Sequence, residues 1–249
     1  PGDLVIVAGR PGMGKTAFAL NLAANITQRN QRVAFFSMEM TDEQCVHRLI
    51  AMLTGIPTDR IRMGVQADED WQGIISAAND IYGWNMYLDD TPAMNVDTFA
   101  ANVRMTHEQS PLSVILVDYL QLFHADLGNR NANREQVIAY VADRLKTTAK
   151  ALSVPIIALA QLSRAVETRA NKRPMLSDLR ESGAIEQFAD LVVFLYRDSY
   201  YNPESEVPGV AEAIIAKHRN GRTGTVPLYF DGARGLFRDL ELLRTNLEY

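Results

Sequence analysis

The sequence predicts an α/β fold: a mainly parallel, twisted sheet flanked by helices, with an antiparallel extension towards the carboxyl end. Short apolar runs rich in β-branched residues recur along the chain, as buried strands require. Helical patterns separate the early runs, and this alternation is typical of a parallel sheet covered on both faces. Later runs follow one another across hairpin-turn signals instead. The late strands are therefore expected to pair antiparallel at one side of the sheet.

The elements follow in order from these patterns. The short apolar runs predict buried strands at Leu4–Ala8, Val33–Phe36, Met86–Leu88, Val114–Val117, Pro155–Ala160 and Leu191–Tyr196. The intervening patterns predict helices at Thr16–Gln28, Asp42–Leu53, Asp68–Ile81, Val96–Gln109 and Arg134–Ala151. Turn signals at Asn220-Gly221 and Asp231-Gly232 separate three further strands, Glu212–Lys217, Thr225–Phe230 and Leu236–Asp239. The polar stretches predict exposed loops, the first two of them mobile, at His124–Arg134, Asp198–Pro208 and Arg164–Pro174.

Composition excludes several classes of protein. The 249 residues suffice for one large domain with a sizeable core. Cys45 is the only cysteine, which excludes an intramolecular disulfide and makes a cysteine-based zinc site implausible. The net charge of −5 argues against broad electrostatic binding to nucleic acid, so any such binding must come from local loops. No apolar run approaches the roughly 20 residues that span a bilayer. With no signal peptide recognisable, we expect a cytoplasmic protein without a membrane partner.

A phosphate-binding loop is predicted directly after the first strand. Its glycines let backbone N–H groups curl around phosphates at the start of the following helix. Lys15 would supply a charge for the β- and γ-phosphates, and the Thr16 hydroxyl would bind Mg²⁺. The full pattern between a strand and a helix favours this interpretation over a tight turn with a surface lysine. The expected nucleotide-binding residues are Gly9, Arg10, Pro11, Gly12, Met13, Gly14, Lys15, Thr16 and Ala17.

Two carboxylates follow later strands. Asp118 ends an apolar strand and could reach Mg²⁺ through a bound water, although strands often end in an aspartate that only caps a turn. The upstream phosphate-binding loop favours the metal role. Glu39 follows the second strand and could orient or deprotonate an attacking water. Spacing alone slightly favours an ordinary surface glutamate at that position.

A series of motifs extends the pattern over nearly the whole chain. In order, they are the phosphate-binding loop, Ser37–Met40, Asp118–Leu122, Gln161–Arg164, Asp178–Gln187 and Lys217–Gly221. Together they resemble the motif series of the C-terminal domain of DnaB-family replicative helicases, from Gly2 to about Asp239. The later motifs are far more specific than the phosphate-binding loop, which many NTPases share.

The resemblance implies a RecA-like P-loop NTPase fold and the motor of an ATP-dependent DNA helicase. Residues 1–240 would form the motor domain, with residues 241–249 unassigned. The chain opens at Pro1 with a strand almost at once, so we expect a domain cut from a longer protein that carries an N-terminal domain and a linker. Family members use ATP and Mg²⁺, form hexamers, move 5′ to 3′ on single-stranded DNA, and work with a primase and a helicase loader.

Residue roles also follow from the resemblance. It implies that Glu39 is the catalytic base and Gln161 the γ-phosphate sensor, which could otherwise be a polar strand end. Lys217 and Arg219, two apart on a strand, would reach a neighbouring subunit's nucleotide, with Arg219 as an arginine finger. The alternative for this pair is a solvated sheet edge.

The same resemblance implies a DNA contact. Arg180, Glu181 and Gly183 would hold the DNA backbone before a helical stretch at Ala184–Ala189. A helix cap with a surface Arg–Glu pair is the alternative. The basic loop Arg164–Arg173 is a weaker candidate for the same role.

Two other functions remain open from the sequence. A RecA-type recombinase would share the fold and nucleotide chemistry, but the motifs at Asp178–Gln187 and Lys217–Gly221 argue against it. An ATP-gated assembly module or loading scaffold would move no DNA. The intact Glu39 and Arg219 favour an active motor.

Overall fold

The computed structural model describes residues 1–64, 67–128 and 132–240, and for residues 180–182 the backbone alone. The strands of the described residues are β1 (Leu4–Gly9), β2 (Val33–Ser37), β3 (Met86–Asp89), β4 (Val114–Asp118), β5 (Ile156–Gln161), β6 (Leu191–Tyr196), β7 (Val210–His218), β8 (Gly224–Asp231) and β9 (Leu236–Asp239). The α-helices are α1 (Lys15–Thr27), α2 (Asp42–Thr54), α3 (Thr58–Met63), α4 (Asp68–Tyr82), α5 (Val96–Gln109), α6 (Arg134–Leu152), α7 (Gly183–Phe188) and α8 (Asp198–Tyr201). Three 3₁₀ helices are η1 (Leu120–Leu122), η2 (Arg164–Thr168) and η3 (Leu176–Ser182).

The strands of the described chain form one nine-stranded sheet in the order β3-β2-β4-β5-β1-β6-β7-β8-β9. Strands β1 to β6 pair in parallel, whereas β7, β8 and β9 pair antiparallel as consecutive hairpins. The predicted mainly parallel sheet with an antiparallel C-terminal extension is therefore confirmed. Because β1 lies between β5 and β6, the loop after β1 lies at the centre of the edge where the parallel strands end, the usual ligand site of such sheets.

Helices cover both faces of the sheet. On one face Phe36, Phe99 and Phe123 are almost completely buried, with ring centroids 4.8 and 5.1 Å apart along the series. On the other face Leu20 of α1 and Leu49 of α2 pack in a second buried cluster. Burial on both faces explains why β4 is a continuous apolar run rather than an alternating one.

The bounds of the long helices follow local capping chemistry. Thr41 accepts from the Gln44 amide at the start of α2, the Gln44 side chain accepts from the Thr41 amide, and Gly55 closes the helix at a φ of 74°. Asn133 and Gln136 make the same reciprocal pair at the start of α6. Both helices begin at the predicted residue and end one residue beyond the predicted bound.

Several loop predictions were wrong in part. The predicted loop Asp198–Pro208 begins with α8, and Tyr201 stacks on Tyr196 with ring centroids 6.1 Å apart. The predicted loop Arg164–Pro174 contains η2, whose Val166 is fully buried. Residues 129–131 of the predicted loop His124–Arg134 lie outside the described residues, as does the unassigned tail 241–249. Within the described part of the chain, no helix is both long and apolar enough to cross a membrane.

Candidate nucleotide-binding site

The turn between β1 and α1 has the backbone shape of a phosphate cradle. Gly12 and Gly14 take φ values of 82° and 92°, which other residues rarely adopt. A Cβ on Gly12 would lie 2.6 Å from Cε2 of Tyr200, and one on Gly14 would lie 3.2 Å from Cζ of Phe230. Gly14 also stands at the N-cap of α1, where it has no side chain to satisfy the first helical amides. Those amides are available to an anion.

A cavity of about 410 Å³ lies beside this turn. Lys15, Thr16, Glu39 and Gln161 all line it, so the structure brings together side chains from the ends of three strands. Pro11, Gly12, Gly14 and Ala17 complete the predicted part of its wall. Its size is that of a small-molecule site.

Two residues of the predicted loop turn their side chains away from the cavity. The Arg10 guanidinium donates from Nε to Glu167 Oε1 at 2.9 Å and from NH1 to the Leu162 carbonyl at 2.8 Å. The Met13 side chain is buried in the apolar core beside α1. Gly9 lies beneath the turn, where an added Cβ would be 3.1 Å from the Leu195 carbonyl oxygen. The structure therefore offers only the backbone of Arg10 and Met13 to a phosphate.

A largely buried ammonium lines the cavity, and a buried carboxylate lies directly beside it. Burial lowers the pKa of Lys15, whose Nζ lies 3.4 Å from the Arg10 carbonyl oxygen. Burial likewise raises the pKa of Asp118, and the nearby Glu39 charge adds to that effect, while the Thr16 hydrogen bond opposes it. Each group would be stabilised in its charged form by the opposite charge, an anion for the ammonium and a cation for the carboxylate.

The Thr16–Asp118 pair fits a magnesium ion. Thr16 Oγ1 donates to Asp118 Oδ2 at 2.6 Å, at the end of β4 beside the cavity. The other oxygen, Asp118 Oδ1, is buried without a hydrogen-bond partner among the described residues. A buried carboxylate oxygen of this kind is costly unless something satisfies it. Hydroxyl and carboxylate oxygens, with intervening water, are the ligands that Mg²⁺ prefers.

A tight turn after β2 presents Glu39. Ser37 Oγ donates to the Met40 carbonyl at 2.7 Å and accepts from the Met40 amide at 3.3 Å. This pair closes the turn and leaves Glu39 exposed at the cavity wall. A carboxylate held at the wall by its backbone can accept a proton from a water beside a bound phosphate. The role of Ser37 was missed from the sequence, although serine is a common turn residue.

Gln161 is held by a second glutamine. The Gln121 side chain donates from Nε2 to the Gln161 carbonyl at 3.0 Å and accepts from the Gln161 amide at 3.1 Å. Arg134 NH2 donates to the Gln121 carbonyl. The backbone of Gln161 is thus fixed, while its exposed side chain faces both the nucleotide cavity and the adjoining cavity that Arg134 lines.

Sequence reasoning missed several further residues that line the cavity, among them two arginines and an aromatic residue. Arg197 stands over the Phe230 ring at 4.5 Å and donates from NH1 to the Gly12 carbonyl at 3.0 Å. Burial lowers the pKa of Arg197. Arg48 reaches the cavity from α2. No local pattern distinguishes these residues from surface arginines and core aromatics. Arg197 and Phe230 reach the cavity only when the β6–β9 region folds over the phosphate-binding turn, and Arg48 only when α2 packs beside it.

Lys217 and Arg219 lie at the opposite end of the sheet. Strand β7 runs antiparallel to β6, and His218 pairs with Leu191 at the start of β6. The six residues of β6 separate that point from the phosphate-binding turn, a distance of roughly 20 Å at about 3.3 Å per residue. The pair therefore lies too far away to serve the cavity of its own chain. Any nucleotide contact by Arg219 requires another copy.

Comparison with known proteins decides the family. The family model described as DnaB-like helicase C terminal domain matches residues 1–239. The chain belongs to this family.

Relatives and solved structures agree with the family match. Replicative DNA helicase DnaB of Geobacillus stearothermophilus is 47% identical over 240 residues, which cover 96% of this chain and 53% of the relative. Replicative DNA helicase DnaC of Bacillus subtilis gives the same identity and coverage. The chain therefore spans about half the length of these curated relatives.

Two solved structures share the fold. One, described as an ATPase domain, superposes with a TM-score of 0.90 at 41% identity, covering 96% of this chain and 84% of that one. The other, a DnaB-like replicative helicase described with its interactions with primase, superposes with a TM-score of 0.91 at 41% identity. The match covers 96% of this chain and 57% of that one.

The segment that the family resemblance implies to contact DNA becomes helical earlier in the chain than predicted. In this DnaB-like domain, η3 occupies Leu176–Ser182 and runs directly into α7, which begins at Gly183 rather than at Ala184. The residues before the predicted helix are therefore helical themselves. Gly183 is a position where an added Cβ would meet none of the described residues within 4 Å. The side chains of Arg180 and Glu181, the other two predicted DNA contacts, lie outside the described residues.

The basic loop before η3 is also not simply solvated. Arg169 pairs with Asp178, and Arg173 donates from Nε and NH2 to Glu212 on β7 at 2.9 and 2.6 Å. Lys172 stands 4.8 Å over the Tyr201 ring. The loop was a candidate for DNA binding because of its positive charge. In this DnaB-like domain, most of that charge is paired within the chain.

Asp190 hydrogen-bonds to three parts of the chain that are far apart in sequence, one of them Arg219. Its Oδ2 accepts from the Leu4 amide at 2.8 Å and from Lys146 Nζ at 2.5 Å, while Oδ1 accepts from Arg219 NH1 at 2.8 Å. The Arg219 amide also donates to the Asp190 carbonyl at 2.8 Å. Lys217 Nζ donates to the Glu186 carbonyl at 2.5 Å, so Lys217 contacts α7 while Arg219 contacts the short connection between α7 and β6.

We expect Asp190→Ala to lower the free energy of unfolding by about 2–4 kcal/mol, because it leaves the buried Leu4 amide without its acceptor and the Lys146 ammonium without its nearest carboxylate. Burial by itself raises the pKa of Asp190, but the bonds from Lys146 and Leu4 and the charge of Arg219 lower it on balance. The contribution is therefore complete above the ordinary value of 3.8 and decreases as the pH falls through the lower folded value. Urea titrations at pH 7 and at acid pH measure both effects.

The exposed Asp143 on α6 provides the control for this substitution. Asp143→Ala is expected to change stability by less than about 0.5 kcal/mol. Equal stability of Asp190→Ala and Asp143→Ala at pH 7 would contradict the assignment of Asp190 as a structural hub.

Proposed function

We propose that this chain is the ATP-driven motor of a replicative DNA helicase, which hydrolyses ATP at subunit interfaces and moves along single-stranded DNA to unwind duplex. The phosphate cradle, the Thr16–Asp118 pair and the placement of Glu39 support ATP·Mg²⁺ as the bound species. The family and the names of its relatives as replicative DNA helicases support the motor role. They favour it over a recombinase or an assembly scaffold.

One observation carries the proposal: the two halves of the predicted catalytic apparatus lie at opposite ends of the same sheet. Glu39 lines the cavity, whereas Arg219 follows β7 at the far end. A head-to-tail contact between copies would join the two halves, and such contacts close into rings when the rotation permits. We propose a homohexamer in which each nucleotide lies between two subunits.

Each side chain then has a chemical task. Lys15 neutralises phosphate charge, and Glu39 takes a proton from the attacking water. Mg²⁺, held by Thr16 and through water by Asp118, would neutralise charge on the β- and γ-phosphate oxygens. Arg219 and its companion Lys217, donated by the neighbour, stabilise charge that develops on the γ-phosphoryl group. Gln161 senses that group from the end of β5.

We propose that the DNA contact lies on η3 and α7. Arg180, Glu181 and Gly183 would hold backbone phosphates along the axis of the ring. Contacts with the DNA backbone do not depend on base sequence, and a motor that moves along any DNA requires this property. We propose 5′ to 3′ movement, following the family.

Partners and location also follow the family. One related structure is described by its interactions with primase, and we propose a primase and a helicase loader as partners of this chain. Replication takes place in the cytoplasm of a bacterium, or of a bacterial host if the chain is encoded by a phage. The cytoplasm is therefore the proposed site of action.

The test is the ATPase rate with and without unstructured single-stranded DNA, over a range of protein concentrations. We expect the rate per subunit to rise with concentration, because the site is shared between copies. A further rise on adding DNA is expected of a motor. Tight ATP binding with a rate that responds to neither variable, in this chain and in its full-length parent, would contradict the motor and favour a nucleotide switch or scaffold.

A further inference from the structure

The buried Arg10 connects the phosphate-binding turn to a part of the chain far away in sequence. Arg10 is 7% exposed, although it lies in a turn that faces solvent. Its guanidinium donates to Glu167 Oε1 at 2.9 Å and to the Leu162 carbonyl at 2.8 Å. Because the Arg10 side chain points away from the nucleotide cavity, its charge does not serve the phosphates directly. It instead fixes η2, the helix that contains Glu167, against the turn.

A second ion pair forms directly after η2, two residues beyond Glu167. Arg169 directly follows this helix and donates to both oxygens of Asp178, from NH1 at 3.0 Å and from NH2 at 2.8 Å. Asp178 is 5% exposed and its Oδ2 also accepts from the Met175 amide at 2.8 Å, which caps η3. A fork-to-carboxylate pair has a defined direction as well as strength. The position of Arg169 therefore sets the start of η3.

The helix whose C-terminal end carries these two pairs is itself fixed. Ser163 Oγ accepts from the Ala165 amide at 3.3 Å and caps η2, while the Ser163 amide donates to the Asp178 carbonyl at 3.2 Å. Val166 is fully buried in the same apolar cluster as Leu179 and Ile185 of the η3–α7 segment. A displacement of η2 is thus transmitted to that segment rather than absorbed by a flexible loop.

The nucleotide has a direct means of moving the turn. Lys15 Nζ lies 3.4 Å from the carbonyl oxygen of Arg10, the residue that begins this connection. A γ-phosphate attracts the Lys15 ammonium more strongly than a neutral carbonyl does, so binding weakens the contact with Arg10. The backbone of Arg10 can then shift and carry its guanidinium with it.

We propose that Glu167 is a positioning residue that couples the nucleotide site to the segment that contacts DNA, through the pairs Arg10–Glu167 and Arg169–Asp178. The inference rests on the proposed function, because it makes DNA stimulation of hydrolysis depend on this connection. Glu167 is not among the described residues that line the nucleotide cavity. Its side chain is 41% exposed, so its loss leaves Arg10 bonded to the Leu162 carbonyl and leaves the core unchanged.

The test compares Glu167→Gln and Glu167→Lys with the unchanged chain and with Glu204→Gln, an exposed glutamate after α8 that serves as the control. We expect Glu167→Gln to keep the DNA-free ATPase rate within about twofold and the Tm unchanged, while stimulation by single-stranded DNA falls at least about fivefold, the lower end of usual coupling factors. Glu167→Lys should lose more, because it places a like charge beside Arg10. Full DNA stimulation in both variants would overturn the proposal.

A merely structural role is distinguished in the same assays. In that case the Tm and the DNA-free rate would fall together and the stimulation factor would be retained, which would also overturn the proposal. A second readout needs no DNA: hydrogen exchange of residues 176–188 with and without a slowly hydrolysed ATP analogue. We expect the analogue to change the exchange rates of these residues in the unchanged chain. The change should be at least about fivefold smaller in Glu167→Gln.

The two readouts separate this inference from the proposed function. If single-stranded DNA stimulates neither the unchanged chain nor its full-length parent, the motor function fails, and the exchange experiment still tests the connection. The connection is refuted, whatever the DNA result, by either of two outcomes. One is that the analogue has no effect on exchange in the unchanged chain, and the other is that it has the same effect in Glu167→Gln.

Discussion

Replacing Arg219 by alanine should lower the rate of ATP hydrolysis about 1,000-fold, the lower end of what a trans-acting arginine contributes. ATP affinity should change little, because the cavity residues that hold the nucleotide are intact and Arg219 acts on charge that develops only during hydrolysis. Asp190 keeps its bonds from Leu4 and Lys146 in this variant, so the fold is expected to remain. Steady-state ATPase assays together with direct measurement of nucleotide binding check both expectations.

Arg222 provides the matched control for this prediction, since it is an exposed arginine three residues further along the same hairpin. Arg222→Ala should keep the rate within about twofold. Normal turnover by Arg219→Ala would refute the assignment of the arginine finger.

Mixing subunits tests the trans geometry itself. Neither Lys15→Ala nor Arg219→Ala should hydrolyse ATP alone. In a mixed ring, an interface recovers when the intact cavity of one subunit meets the intact Arg219 of its neighbour. Random assembly from equal amounts restores about a quarter of the interfaces. A mixture as inactive as its components would show that both groups act within one subunit.

Replacing Glu39 by glutamine should lower the hydrolysis rate by a factor of about 100 to 1,000, because an amide cannot accept the proton of the attacking water. Nucleotide binding should be retained, since Lys15, the glycine turn and the Thr16–Asp118 pair remain in place. Glu39 is exposed, so the Tm should not change. Single-turnover hydrolysis combined with binding of a fluorescent ATP analogue separates the chemical step from affinity.

Glu43 is the control for that substitution, because it is exposed in the first turn of α2, four residues away. Glu43→Gln should leave both the rate and the affinity within about twofold. If Glu39→Gln hydrolysed ATP as fast as Glu43→Gln, the base would have to be sought elsewhere.

Patterns within short stretches of sequence were enough to predict the fold class and the residues that line the nucleotide cavity at the ends of the parallel strands. The strand–turn–helix pattern from Leu4 to Thr27 specifies a phosphate cradle because the glycine positions, the helix start and Lys15 all depend on neighbours within a few residues. Glu39, Asp118 and Gln161 could be placed at one edge because they follow strands predicted to be parallel, and parallel strands end at the same edge of a sheet. The roles proposed for Lys217 and Arg219 rest only on the family resemblance.

What each polar side chain faces could be learned only from the folded chain. Nothing in the local sequence indicates that Arg10 turns from the phosphates towards Glu167, 157 residues away, or that Asp190 accepts from Leu4, 186 residues away. The placement of Arg197 over Phe230 beside the nucleotide cavity likewise depends on how the antiparallel strands close over the turn. Apolar periodicity shows which face of an element is buried, whereas the partner of a polar side chain is set by packing between elements that are far apart along the chain.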